Sequence, residues 1–424
     1  MKIGIACKSF RQSGGMERYA LDVVGALNRL GIKPTVFARR FDPALLKRYD
    51  IDAQRIRVGA LPGKWRDHYF SRRVTSLKRQ LGIDALIGIS RVQAADIAIC
   101  GGTHSGYLRS SNRAASWSDK RQIALESAHY QNAQKVVAHS QMMADELMSL
   151  YDVPPEKIAL LYPPVDVSCF SPGNATERQR LRAQFGLPDD KTVFLFPSNS
   201  HERKGYPALQ AFFEQTDLPV MLAVVGRPVT SASSAIRYLG YQADMAAMYR
   251  AVDYTILASR YEPFGLVGIE SILCGTPVAL DRRIACTEIL AEHACLTFDS
   301  DRPGELADAV KCAVKRSQQR CQDRTAEAGG QVLTQAFQSP GQGQDQGQGQ
   351  GQGQTWPIGS AAVDPIRAGL SSVSSADAIR LGLAYDPDID RHVSALLALL
   401  PVVKAPVAVP AVGKEGAFQP RAAA

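Results

Sequence analysis

From residue 1 to about 310, short apolar runs alternate with longer stretches in which apolar positions recur every three or four residues. In the first half the apolar runs fall at 2–7, 34–38, 56–61, 85–89, 96–100, 135–138 and 158–162. In the second half they fall at 193–197, 220–226, 237–240, 254–258, 277–280 and 295–298. Each has the length of a strand buried on both faces. The stretches 17–30, 141–150 and 206–215 have helical spacing. Strands alternating with helices of ten or more residues specify βαβ units, and so parallel sheets covered by helices. A Pro- and Gly-punctuated stretch at 163–173 separates two such series. The expected fold is α/β, with two Rossmann-like, doubly wound domains at 1–170 and 171–315 facing each other across a cleft.

The pattern then changes. Residues 341–354 read GQGQDQGQGQGQGQ, too polar and glycine-rich to bury a core. The expectation is a low-complexity, flexible insertion over 316–374. Helical spacing returns over 375–400, followed by a disordered Pro/Ala/Val-rich tail at 401–424. That last helix is expected to cross back onto the first domain.

The chain has 424 residues, 45% of them hydrophobic, more than one core normally holds. Its opening KIGIAC is too short for a secretory h-region, and no apolar run approaches the ~20 residues of a membrane span. A cytoplasmic protein is expected, associated at most with the inner face of the cytoplasmic membrane. The eight cysteines are scattered singly without a CxxC pair, which argues against a zinc site or disulfide framework. Net charge is +8, unevenly placed: residues 1–170 carry 25 Lys/Arg against 15 Asp/Glu, a balance of +10, which leaves −2 for the rest. Anionic partners are therefore expected on the first half: phosphorylated substrates, acidic lipid or nucleic acid.

Candidate chemistry concentrates in ASRYEPFGLVGIESILCGTPVAL, which starts at Ala258. A strand ends near Ser259, a loop carries Glu262, Pro263 and Phe264, and a helix runs from about Gly265 to Cys274. Such a unit sits at the carboxyl edge of a parallel sheet, where ligands bind. The unpaired N–H groups of its helix suit a phosphate. Glu270 lies six residues beyond Phe264, or ~9 Å along a helix, about the reach from a diphosphate to a ribose. Glu262 stands on the other side, where a donor sugar would lie.

The match EPFGLVGIE followed by CGTPV resembles the E-x7-E motif of glycosyltransferase family 4, whose members are retaining enzymes of GT-B architecture. The resemblance spans residues 1 to about 310, and it implies that the first domain, 1–170, binds the acceptor and the second, 171–315, binds the donor. It implies that Glu262 contacts the donor sugar. It also implies that the amides of Phe264, Gly265 and Leu266 hold the diphosphate and that Glu270 binds the ribose hydroxyls. In PSNSHERKGY, Arg203 and Lys204 follow a strand and match the family's Arg/Lys pair, which replaces a metal ion at the leaving phosphate. Gly14 and Gly15 lie between the first strand and helix, where the family keeps a Gly-rich loop near the donor. His104, just past a strand and after Gly101 and Gly102, matches a family histidine close to the donor sugar.

The implied reaction is transfer of a hexose, with UDP-glucose expected as donor, without cofactor or metal. THSGYLR and ESAHYQNAQKVVAHSQ are similar to segments of lipopolysaccharide core glucosyltransferases, which implies a glycan or lipid-linked cell-envelope acceptor. The pairs Asp50/Asp52 and Asp299/Asp301 and the run Asp386/Asp388/Asp390 fit a metal-binding DxD pattern, but each lies in a turn-forming context. KWRDHYFSRRVTSLKRQ and YLRSSNRAASWSDKRQ mix basic and aromatic residues, as a peripheral contact with an anionic membrane would. No other mark of a nucleic-acid-binding module is present. An epimerase of nucleotide sugars on the same fold, or a noncatalytic sugar-nucleotide binder, would use the same residues. Three features depart from the family: Ser271 in place of a small Ala, DRRIACTEIL after Leu280 without a Gly pair, and the segment 316–374.

Overall fold

The computed structural model describes residues 1–231, 233–336 and 382–400. Its first sheet has seven parallel strands: β1 (Ile3–Ala6), β2 (Thr35–Ala38), β3 (Asp52–Arg55), β4 (Ala85–Gly88), β5 (Ile97–Cys100), β6 (Lys135–Ala138) and β7 (Ile158–Leu160). The second has six: β8 (Thr192–Ser198), β9 (Val220–Gly226), β10 (Ile236–Tyr238), β11 (Tyr254–Leu257), β12 (Val278–Asp281) and β13 (Cys295–Phe298). Their orders are β3-β2-β1-β4-β5-β6-β7 and β10-β9-β8-β11-β12-β13. Both are doubly wound. Each reverses direction at one switch point, between β1 and β4 in the first sheet and between β8 and β11 in the second.

The third strand differs from its expected place. It occupies Asp52–Arg55, the polar tetrapeptide DAQR, and not 56–61. As the edge strand, its side chains are mostly exposed, so it carries no apolar run. Ile56, which produced the apolar signal, is buried just beyond its end.

Helices cover the sheets: α1 (Gly15–Arg29), α2 (Pro43–Arg48), α3 (Gly63–Gln80), α4 (His104–Ser110), α5 (Trp117–Asn132) and α6 (Gln141–Tyr151) on the first half. On the second half lie α7 (Ala175–Phe185), α8 (Tyr206–Gln215), α9 (Met245–Ala251), α10 (Leu266–Leu273) and α11 (Pro303–Ala336). Their starts follow local chemistry. Ser116 and Asp119 form a reciprocal capping box on α5, and Ser140 caps α6. Helix α11 runs on through 316, where composition alone places the start of a flexible insertion. The Gly/Gln-rich run at 341–354 and the tail at 401–424 lie outside the described residues.

Residues 382–388 form an extended strap between the halves. Leu383 bridges to Leu290 of the second half, and Pro387 accepts a hydrogen bond from Val165 N–H at 3.0 Å. The last helix, α12 (Ile389–Ala398), starts later than the expected 375 because Pro387 and the capping side chain of Asp388 stand before it. Of that expected helix, 375–381 lies outside the described residues. Val393, Leu396 and Leu397 of α12 are buried in the core of the first half, beside Val23 and Leu27 of α1. His392 Nε2 lies 2.8 Å from Tyr19 Oη, and Arg29 pairs with Asp390.

Candidate active site

The two switch points face each other. At the second, the loops after β8 and β11 supply the residues singled out from sequence. The loop after β8 is shaped by His201, whose ring nitrogens reach Ser198 Oγ at 3.0 Å and the Arg227 carbonyl at 3.0 Å. It closes at Gly205, with φ of 77°. A Cβ there would lie 2.0 Å from the Ala258 carbonyl oxygen, so only glycine lets this loop rest on the end of β11.

Lys204 is thereby turned inward, its Nζ donating to the Pro197 carbonyl at 3.0 Å. Burial pushes its pKa below the usual lysine range, while neighbouring Glu262 pulls it back up. Arg203 Nη1 donates to Glu262 Oε2 at 2.9 Å. The acid and both cations expected around a donor are thus neighbours. Glu262 is fixed by its backbone, which bridges to Ile284 and accepts from Ala285 N–H at 3.1 Å.

Gly265, with φ of 97°, caps α10. A side chain there would press a Cβ to 2.7 Å from Ile284 Cγ2. Among the described residues, the N–H groups of Phe264, Gly265 and Leu266 donate to no protein acceptor. They form an N-terminus of the kind that binds phosphate. One and a half turns on, the largely covered Glu270 is held by Tyr249 Oη at 2.9 Å and by Arg18 Nη1 of α1 at 3.4 Å. Burial raises its carboxyl above the usual range, and Arg18 opposes that.

From the first half, the glycine loop meets α10. A Cβ on Gly15 would make an ordinary contact with Leu266 Cδ1 at 3.7 Å. Neither Gly14 nor Gly15 adopts positive φ, so a strained turn does not account for the pair. His104 begins α4. Its ring bonds to Asp119 Oδ1 at 2.8 Å and its backbone N–H to Glu126 Oε2 at 2.8 Å, with no bond to the second half. Hydrogen bonds from Ser116 and then His104 hold the Asp119 carboxyl well below the usual range.

The sequence reading missed the residues that lock these parts together. Tyr261, next to Glu262, is 9% exposed and packs in the core of the first half, with Tyr130 and Met143. Its hydroxyl donates to Glu146 Oε2 at 2.8 Å, and Thr103 N–H donates to it at 3.3 Å. Ser140 Oγ donates to the Pro263 carbonyl at 2.6 Å. The only signal for Tyr261 was an aromatic at a strand end, which any core would use. Arg18 and Tyr249 were invisible because their partner, Glu270, is remote in sequence.

The aspartates fitting a DxD pattern are engaged elsewhere. Asp299 and Asp301 pair with Arg283, Asp386 with Arg391, Asp390 with Arg29, and Asp388 caps α12. Among the described residues, no group of three or more His, Cys, Asp or Glu could hold a metal ion. None of the described helices is long and apolar enough to cross a membrane.

Known proteins share this fold. The family model for glycosyltransferase family 4 matches residues 13–168, and that for glycosyl transferases group 1 matches 177–329. A probable transglycosylase of Burkholderia thailandensis is 41% identical over 399 residues, covering 94% of this chain and 96% of that protein. A D-inositol 3-phosphate glycosyltransferase of Catenulispora acidiphila is 34% identical over 183 residues, which is 37% of this chain and 43% of its own length. Among solved structures, WaaG, a glycosyltransferase involved in lipopolysaccharide biosynthesis, aligns with a TM-score of 0.66 at 14% identity, over 74% of this chain and 91% of its own. Anabaena HepE in complex with UDP and glucose aligns with a TM-score of 0.60 at 18% identity, over 75% of this chain and 91% of its own. Fold, motifs and relatives agree: the chain belongs to the family 4, group 1 glycosyltransferases of GT-B architecture.

Proposed function

We propose that this glycosyltransferase moves a hexose, with retention, from a nucleotide-diphosphate sugar to a glycan or lipid-linked cell-envelope acceptor. UDP-glucose is the proposed donor, and a lipopolysaccharide core sugar the proposed acceptor. The observation that carries this reading is the row Glu262, free α10 amides, Glu270, with Arg203 and Lys204 beside it. In this reading the ribose hydroxyls reach Glu270, the diphosphate lies on the amides, and the sugar lies toward Glu262. Binding exchanges the Arg203–Glu262 contact for contacts of each with the donor. Charge growing on the leaving β-phosphate is then met by Lys204, which is turned inward, and by Arg203. The acceptor hydroxyl attacks from the face the phosphate leaves, and the phosphate oxygen takes its proton. The protein acts by position and electrostatics, without metal or cofactor.

His104 would support the sugar from the first half, oriented by Asp119. The exposed aromatics Trp65 and Trp117 clasp Arg121, at 3.8 and 4.9 Å from its guanidinium carbon, and Lys64 lies over Trp117. This basic-aromatic face supports peripheral contact with an anionic membrane on the cytoplasmic side.

Glu262→Ala should abolish most transfer from UDP-glucose, and EDTA should leave transfer intact, both followed by product formation in acceptor extracts. Undiminished transfer by the variant would remove Glu262 from the reaction. Loss with EDTA would show a metal requirement.

A further inference from the structure

At the switch point of the first sheet lies a cavity of about 310 Å³, within the size range of small-molecule sites. Its walls are the segments that follow β1, β2, β4 and β5, at the carboxyl ends of the strands where ligands enter such sheets, together with residues of α3 and α5. The cavity also borders the donor loop. Gly102 lines it, and a Cβ on Gly102 would sit 3.2 Å from Pro263 Cγ, one residue from Glu262. Behind it, the fully buried Glu126 accepts the backbone N–H of His104 at 2.8 Å.

The charges of this cavity cancel. Lys8, Arg39 and Arg91 face Glu17, Asp67 and Glu126, three of each sign. The two arginines are already committed: Arg39 pairs with Asp67, and Arg91 with Glu126 at 2.7 Å. Gln122 joins the pairs. In the amide orientation that satisfies both, it donates to Asp67 Oδ2 at 3.1 Å and accepts from Arg91 Nη1 at 2.9 Å. His129 adds no charge near neutrality, since burial pushes its pKa down to about 4. Within the cavity, a phosphate or carboxylate ligand would have to break a committed pair to find a buried cation, leaving the other member uncompensated; the third cation, Lys8, stands at the exposed rim, where water screens its charge. A hydroxyl group has no such requirement. Each guanidinium keeps N–H groups, and Asp67 keeps lone pairs, beyond those the pairs consume, whereas Glu126 is filled by Arg91, the His104 N–H and the Tyr151 hydroxyl. Sugar hydroxyls both donate and accept, which matches that alternating surface, and the rings of Phe70 and Tyr130 add apolar wall.

We propose that this cavity receives the acceptor and selects an uncharged, hydroxyl-rich sugar end over a phosphorylated or acidic one. The assignment rests on the transferase reading above and narrows it. It also redirects the expectation from composition, because the two arginines at this point of the basic first half are neutralised.

The test is saturation-transfer NMR on the whole protein with UDP present. Methyl glycosides of glucose, galactose and mannose are compared with the matched uronic acids and 6-phosphates. Calorimetry with UDP runs in parallel. The neutral glycosides should bind and the charged ones should not. Asp67→Asn releases Arg39 and should shift the neutral-to-charged ratio toward the charged sugars by about tenfold, with UDP affinity unchanged. Charged sugars binding the wild type as well as neutral ones, no neutral sugar binding while UDP does, or a ratio unmoved by Asp67→Asn would each overturn the cavity's assignment. Failure of the wild type to bind UDP would instead overturn the transferase reading beneath it.

Discussion

The two switch points of this molecule are built from the same βαβ architecture but hold charge in opposite ways. At the second, polar groups are left with capacity to spare: three amides at the start of α10 without acceptors among the described residues, an inward lysine, and a largely covered glutamate raised above its usual range. At the first, every buried charge has a partner, through Arg39–Asp67, Gln122 and Arg91–Glu126. A centre that must meet charge developing in a reaction keeps its groups available. A centre that only orients hydroxyls can neutralise itself and be rigid. Net charge per half is therefore a poor guide to ligand, because what matters is the charge left unpaired at the switch point.

The sharpest way to break this contrast is to remove one lysine from each side. Lys204→Ala should lower kcat with UDP-glucose by roughly a hundred- to a thousandfold, as loss of a group aimed at transition-state charge does. Lys8→Ala, at the exposed rim of the compensated cavity, should change it by less than about threefold. Comparable losses at both would erase the distinction.

Next in size is Glu126→Gln, which leaves Arg91 without its counter-charge. It should destabilise the fold by about 2–3 kcal/mol in denaturant unfolding. Adding Arg91→Met should recover most of that loss if the pair serves compensation. A double variant as unstable as the sum of the single ones would mean that the two side chains act separately. The smallest expected effect is that of salt. Raising ionic strength from 50 to 500 mM should weaken UDP binding by about three- to tenfold and leave binding of methyl glycosides within about twofold. Parallel salt dependence would mean that both sites bind through unpaired charge.

Much of this was legible before any coordinates. Buried strands such as Val220–Gly226 announce themselves as apolar runs because both faces are covered, and α10 is framed by Gly265 and Gly275. The polar edge strand Asp52–Arg55 was misplaced because an edge needs no apolar face. Helix α11 continues past a change in composition because the residues after 316, rich in Gln, Arg, Ala and Glu, are polar yet still favour helix. At the site, Glu262, Gly265 and Glu270 share one short segment whose spacing is itself the information. Arg18, Thr103 and Glu146 lie 115 to 252 residues from their partners. Nothing local in the chain couples them, so only the folded arrangement reveals them.

Tyr261 has a practical consequence for anyone recombining this family. Its backbone belongs to the second half, while its ring and hydroxyl are housed by Thr103, Glu146 and the core of the first half. A chimera cut in the linker at 163–173 would part the tyrosine from its socket. A second half transplanted from a relative would arrive with the loop that carries Tyr261 and Glu262 unmoored unless those socket residues travelled with it. The strap ending in α12 imposes the same demand from the other direction, since it leaves the second half to complete the core of the first. The heritable unit of specificity is therefore two interlocked pieces, not a cassette that ends where a sheet ends.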